Sequence, residues 1–142
     1  MTVRSILSGK GHNVVSVEPK TKLAAAVKLL AEKRIGAVLV MSQSRMEGIL
    51  SERDIVRVLA ERGAGVLDEP VSAVMTRKVV TCRETDTVAE LMETMTQGKF
   101  RHLPVVENNG VVGLISIGDV VKQRVSEYEA EQEALRDYIK TA

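Results

Sequence analysis

Gly48-Ile49-Leu50-Ser51-Glu52-Arg53-Asp54-Ile55 returns sixty-five residues later as Gly113-Leu114-Ile115-Ser116-Ile117-Gly118-Asp119-Val120. At the same offset Val14 and Val15 meet Val79 and Val80, Ala24 meets Ala89, Val40 meets Val105, and Val56 meets Val121. A repeat of this length is one supersecondary unit copied, and two adjacent copies are expected to pack face to face about a pseudo-twofold axis. Each copy, at roughly 60 residues, is near the size where a separate core becomes marginal, so mutual burial is the expected solution. Two equivalent grooves then lie between the halves.

Working outward from the repeated stretch, Ser51 opens a helix through Ile55, Val58 and Leu59 that ends near Gly63. Before it, Ala37–Met41 and Met46–Leu50 read as a hairpin around Ser42-Gln43-Ser44-Arg45. Leu23, Ala26, Val27, Leu30 and Ala31 recur at helical spacing between Lys22 and Arg34. Val14–Val17 reads as a strand stopped by Glu18-Pro19, and Gly9-Lys10-Gly11 as a flexible loop.

The second copy repeats the order. It has a strand Val79–Cys82, a helix Thr87–Gln97 with capping-box spacing at its start, and strands Leu103–Val106 and Val111–Ile115. These two strands are joined at the hairpin signal Asn109-Gly110. Pro104 is expected at an edge or a bulge. The fold class is therefore α+β, β-α-β-β-α twice, divided as 1–65 and 66–125. The last helix runs on uninterrupted through an extension, 126–142. Val121, Val125, Tyr128, Gln132, Leu135 and Ile139 form a heptad-like stripe along it, which points to self-association.

Composition narrows the function. A formal charge of +1 supplies no field for nucleic acid or a membrane surface. The aromatic residues are Phe100, Tyr128 and Tyr138, too few for a base-stacking platform. Lone Cys82 sits in an apolar strand, which suits a buried thiol in a reducing, cytoplasmic setting. The start Met1-Thr2-Val3-Arg4 lacks the apolar region of a signal peptide, and no apolar run approaches membrane-spanning length. His12 and His102 lie far apart, outside any metal spacing, and no nucleophile motif accompanies them, so catalysis is not expected.

The repeated Ser-x-x-Asp carries the chemistry. Ser51 and Ser116 can act as N-caps, with Asp54 and Asp119 completing capping boxes. In the same geometry the hydroxyl and free N–H groups of a helix start can face a phosphate, while the carboxylate one turn on accepts both hydroxyls of a ribose. In the second copy Arg101 offers phosphate a bidentate fork and His102 a further donor. The first copy holds Gly36-Ala37 at those positions, so the two grooves cannot be chemically equal.

Both copies resemble CBS domains, and together they resemble the tandem pair called a Bateman module, over about residues 3 to 125. The resemblance rests on the duplication, on the Gly-apolar-apolar-Ser-x-x-Asp ending, and on Arg101-His102-Leu103-Pro104-Val105-Val106. It implies a stand-alone CBS-pair protein that binds an adenine nucleotide between the repeats, AMP first, with ATP, ADP or NAD(H) as alternatives. Carried over residue by residue, one site would use Asp119 for the ribose and Ser116 and Arg101 for phosphate. His102 would be the phosphate's neighbour, and Thr81 and Val80 would line the base. The other would use Asp54 and Ser51, helped by Arg53, with Ser16 and Val17 near its base.

The resemblance also implies flat dimers of modules with helices at the interface, here a homodimer that the C-terminal helix would reinforce. The expected role is a non-catalytic regulatory or sensor module read by a target protein. The alternative is a structural interaction module in which Ser-x-x-Asp only caps helices.

Overall fold

The computed structural model describes residues 1–141. Chain order is α1 (Val3–Lys10), β1 (Ser16–Val17), α2 (Leu23–Lys33), β2 (Ala37–Ser42), β3 (Arg45–Ser51) and α3 (Glu52–Arg62), then two 3-10 turns (Ala64–Asp68 and Val71–Ala73). The second half follows with α4 (Val88–Gly98), β4 (His102–Glu107), β5 (Gly110–Ser116) and α5 (Ile117–Thr141). β1 runs parallel to β2, which pairs antiparallel with β3; β4 pairs antiparallel with β5. The mixed α+β fold of two similar units, with a long last helix, is the one the repeat implies.

The hairpins agree with their sequences in detail. Asn108 and Asn109 both adopt positive φ (50° and 65°), the twist a two-residue hairpin turn needs, and asparagine tolerates it. Pro104 lies within β4 beside a register shift at Val105/Val106, so the expected bulge is next to it.

Three local expectations change. Val14–Val17 shortens to Ser16–Val17. Val79–Cys82 is not a strand: only Cys82 bridges to Val105, donating to Pro104 O (2.9 Å) and accepting from Val106 N (2.9 Å). The chain before it, at Val79 and Val80, has left the sheet to line a groove. Finally, Gly9 and Lys10 are the last turn of α1, not a loop. Val3, Ile6 and Leu7 on that helix are buried, and packing holds it helical as far as Gly11.

The buried faces fall into three clusters. Leu23, Leu30, Val38, Leu50, Ile55 and Val58 form the first core, together with Val66, Val71 and Val74 from the inter-repeat segment. Leu91, Met95, Leu103, Ile115 and Val120 form the second, together with Val3, Ile6 and Leu7 from α1. Each repeat is thus completed by the segment that precedes the other repeat. Backbone pairing follows suit: Val3 N donates to Asp86 O (2.9 Å) and Val71 N to Thr21 O (2.8 Å). The third cluster, Ala37, Leu39 and Ile49 with Val79, Val111 and Leu114, joins the two halves by mutual burial.

This exchange explains the glycine that opens each repeated motif. A Cβ at Gly48 would lie 2.6 Å from Thr76 O, and one at Gly113 would lie 2.6 Å from Leu7 Cδ2. Both are places where a crossing segment presses on the sheet.

Candidate functional site

The motif residues stand where strand gives way to helix. Ser51 Oγ accepts from Asp54 N (3.3 Å) while Asp54 Oδ2 accepts from Ser51 N (3.0 Å) and from Ser51 Oγ (3.1 Å). Ser116 and Asp119 repeat this, with Asp119 N to Ser116 Oγ at 3.2 Å and Ser116 N and Oγ to Asp119 Oδ2 at 2.8 and 2.9 Å. Both capping boxes are therefore formed. Asp54 is the one buried charged residue of the described cores. Its other oxygen, Oδ1, accepts from Thr76 Oγ1 (3.2 Å) and pairs with Arg57 (3.3 Å). Arg57 is 55% exposed, so its hold on Asp54 is the weakest of these contacts.

A cavity of about 800 Å³ opens between the halves at Asp54. One wall is the β3–α3 corner, with Ser51, Glu52, Arg53, Asp54 and Arg57. The facing wall belongs to the second repeat: Thr76, Lys78, Val79 and Val80 from the segment leading into it, and Lys99 through His102 at the start of β4. Five Lys or Arg side chains against two carboxylates line this space, so it favours an anion. Lys78, Lys99 and Arg101 form no ion pair among the described residues. Arg53 is partly committed, because it donates to the Lys99 carbonyl and ties the two walls together.

His102 sits where the halves meet. A Cβ on Gly36 would lie 3.1 Å from its Cε1 and 3.3 Å from its Nε2. The imidazole fills the space beside Gly36, so a larger side chain at that position of the first repeat would press on it. Burial pushes the His102 pKa below its usual value, and the Lys10 charge adds to this against the opposing pull of Glu52. The ring is neutral near pH 7 and offers one N–H to a ligand.

The structure groups the expected site residues in a different way. The sequence pairs Arg101, His102 and Val80 with Asp119 and Ser116; in the structure these three line a cavity with Ser51, Arg53 and Asp54, while His102 is also the ladder partner of Ser116 and feels the Asp119 charge. The pseudo-twofold packing sets the helix start of one repeat against the β4 entrance of the other, which no within-repeat reading can anticipate. Asp119, Ser116, Thr81, Ser16 and Val17 do not line this cavity. Thr81 is exposed, and Ser16 and Val17 pair with Leu39 and Val40 at the edge of the first sheet.

Asp119 is instead held by Lys10, at 2.6 Å. Burial is the largest single influence on Asp119 and pushes its pKa up. Hydrogen bonds from Lys10 and Ser116 together with the Lys10 charge outweigh it, and the net shift is downward. Cys82 is buried, and that burial pushes its thiol pKa up to about 12, with Asp86 and Glu107 adding to the effect, so it is no nucleophile.

Sequence reasoning passes over Lys10, Arg57, Thr76, Lys78 and Lys99. Only Arg57 carried a local signal, its one-turn spacing from Asp54. The others lie in segments that read as loop, linker or helix end.

With this geometry in view, comparison with known proteins identifies the class. Residues 3–61 and 71–126 each match the CBS domain, and the chain belongs to the CBS-domain family. It is 34% identical over 119 residues to the mitochondrial CBS domain-containing protein CBSX3 of Arabidopsis thaliana; the match covers 80% of this chain and 58% of that protein's length. Its fold superposes on the crystal structure of a CBS-domain-containing protein of Agrobacterium tumefaciens, with a TM-score of 0.86 and 45% identity over 87% of this chain and 99% of that one. A CBS domain protein of Pyrobaculum aerophilum, complexed with AMP, aligns with a TM-score of 0.73 and 28% identity, covering 84% and 89% of the two chains. No helix among the described residues is long and apolar enough to cross a membrane.

Proposed function

We propose that this protein is a non-catalytic regulatory module that binds an adenine nucleotide in the Asp54 groove. The observation that carries this reading is the meeting, in one cavity, of a capped helix start from one repeat with Lys78, Lys99, Arg101 and His102 from the other. Asp54 would take the ribose hydroxyls as Arg57 swings away, and the free cations would take the phosphates. Val79 and Val80 would supply the apolar wall for the base. The AMP complex of the Pyrobaculum relative supports an adenosine-containing ligand.

The sequence ranks AMP first. Three unpaired cations, two of them outside that ranking, favour more phosphate, so affinity is expected to rise from AMP through ADP to ATP. Calorimetric titration with AMP, ADP, ATP and NAD(H) tests this, and flat traces for all four would defeat the proposal. A phosphate beside His102 favours the imidazolium and raises its lowered pKa, so binding takes up a proton. Affinity increases as pH falls through the bound-state pKa and levels off below the free-state one, which lies under the ordinary imidazole value. His102→Gln removes that pH dependence.

A ligand bridging both walls would favour one arrangement of the halves, and a target protein would read it. The reading includes a homodimer through the module helices and α5, whose Val121, Val125, Tyr128, Leu135 and Ile139 are exposed. Sedimentation of a chain ending at residue 126 is expected to show monomer where the full chain is a dimer. The lone buried thiol suits the cytoplasm.

The second reading, an interaction module with Ser-x-x-Asp as caps alone, is favoured by one observation, the two fully formed capping boxes.

A further inference from the structure

At the first repeat's motif Thr76, from the segment leading into the second repeat, crosses against Ile49 and Asp54. Its N–H donates to Ile49 O (2.9 Å) and its hydroxyl to Asp54 Oδ1. The repeat places Leu114 and Asp119 where the first half has Ile49 and Asp54. There both acceptors are served by a single ammonium: Lys10 Nζ donates to Leu114 O (2.7 Å) and to Asp119 Oδ2 (2.6 Å). Unlike the loosely held Arg57, Lys10 has two anchors, is only 35% exposed, and rises from a helix fixed by Val3, Ile6 and Leu7 in the second core.

Both carboxylates are engaged by their own serine, and what differs is the further donor. Asp54 Oδ1 meets the neutral Thr76 hydroxyl and the exposed Arg57, whereas Asp119 Oδ2 is held, beside Ser116 N and Oγ, by the charged and doubly anchored Lys10. By repeat position Arg34 and Lys122 replace Lys99 and Arg57, so this half retains cations for phosphate, and what is occupied is its sugar end.

We infer that Lys10 is a built-in occupant of the Asp119 groove that keeps it closed to nucleotide, so that each chain binds one nucleotide, at Asp54. This rests on the nucleotide-binding reading above. Displacing Lys10 means breaking a charge-assisted hydrogen bond, which weakens binding there on the order of ten- to a hundredfold.

The test is calorimetry with ATP on four proteins: wild type, Asp54→Ala, Lys10→Met, and the double variant. Methionine keeps the aliphatic stem of Lys10 and removes its charge, and Lys10→Gln serves as a second neutral replacement. Wild type is expected to bind one equivalent. Lys10→Met is expected to gain a second, and the double variant to bind ATP ten to a hundred times more tightly than Asp54→Ala alone. Two equivalents in wild type would overturn the inference. So would unchanged affinity in the double variant, or a drop that made Lys10 a phosphate ligand. No binding by any of the four would overturn the nucleotide reading and this inference with it.

Discussion

Asp54→Ala lowers nucleotide affinity by roughly a hundredfold, the expected loss when two hydroxyl-to-carboxylate hydrogen bonds disappear together. Asp119→Ala changes it by less than about threefold, because Lys10 already occupies that carboxylate. The contrast matters more than either value. Both aspartates complete the same capping box, so a role confined to helix capping makes the two substitutions equivalent, each costing about 1 kcal/mol of stability and neither affecting a ligand. Asp54 is buried against Thr76 and Arg57, and alanine there leaves their donors short of a partner. Asp54→Asn therefore serves as a companion, since asparagine can still cap the helix. Calorimetry with ATP beside urea unfolding of all three variants separates the outcomes. Equal affinities with only stability altered would establish the capping role and end the sensor reading.

Leu7→Ala destabilises the protein by about 3 kcal/mol, within the range for emptying a fully buried leucine site, and the damage appears in the second repeat. Leu7 is 1% exposed and belongs to the cluster of Leu91, Leu103 and Ile115, more than eighty residues away in the chain. Hydrogen exchange is the informative measurement: protection is expected to fall first in α4, β4 and β5, with α2 and β2 retaining theirs. Were residues 1–65 a self-contained unit, the loss would appear in the first repeat instead. The same substitution loosens the end of α1 and with it the Lys10 contact to Asp119.

Much of the architecture is visible in the chain. α2 and α4 show their apolar faces at helical spacing because each lays one stripe on a core, and they end within a residue or two of expectation. The two hairpins are marked by their turn residues, and Ser51 and Thr87 mark helix starts because a side-chain oxygen must serve the free N–H groups there. The uninterrupted α5 follows from the lack of proline or a breaking glycine after Asp119. These are local effects, and local sequence carries them.

The failures share one cause. Val79–Cys82 has the composition of a strand, but it bridges to a sheet only at Cys82; Val79 N turns back to Arg77 O (3.1 Å), and Val79 and Val80 line the groove. Gly9 and Lys10 look like loop, but burial of Ile6 and Leu7 against the opposite repeat holds them in helix. In each case packing from the other half overrides the local preference.

The duplication itself, the β-α-β-β-α order and the two Ser-x-x-Asp helix starts needed no coordinates, because periodicity and capping act within a few residues. Which aspartate faces Arg101 and which meets Lys10 depended on folding in three dimensions. That choice is made by how two similar halves exchange their leading segments, and no stretch of chain encodes such a meeting on its own.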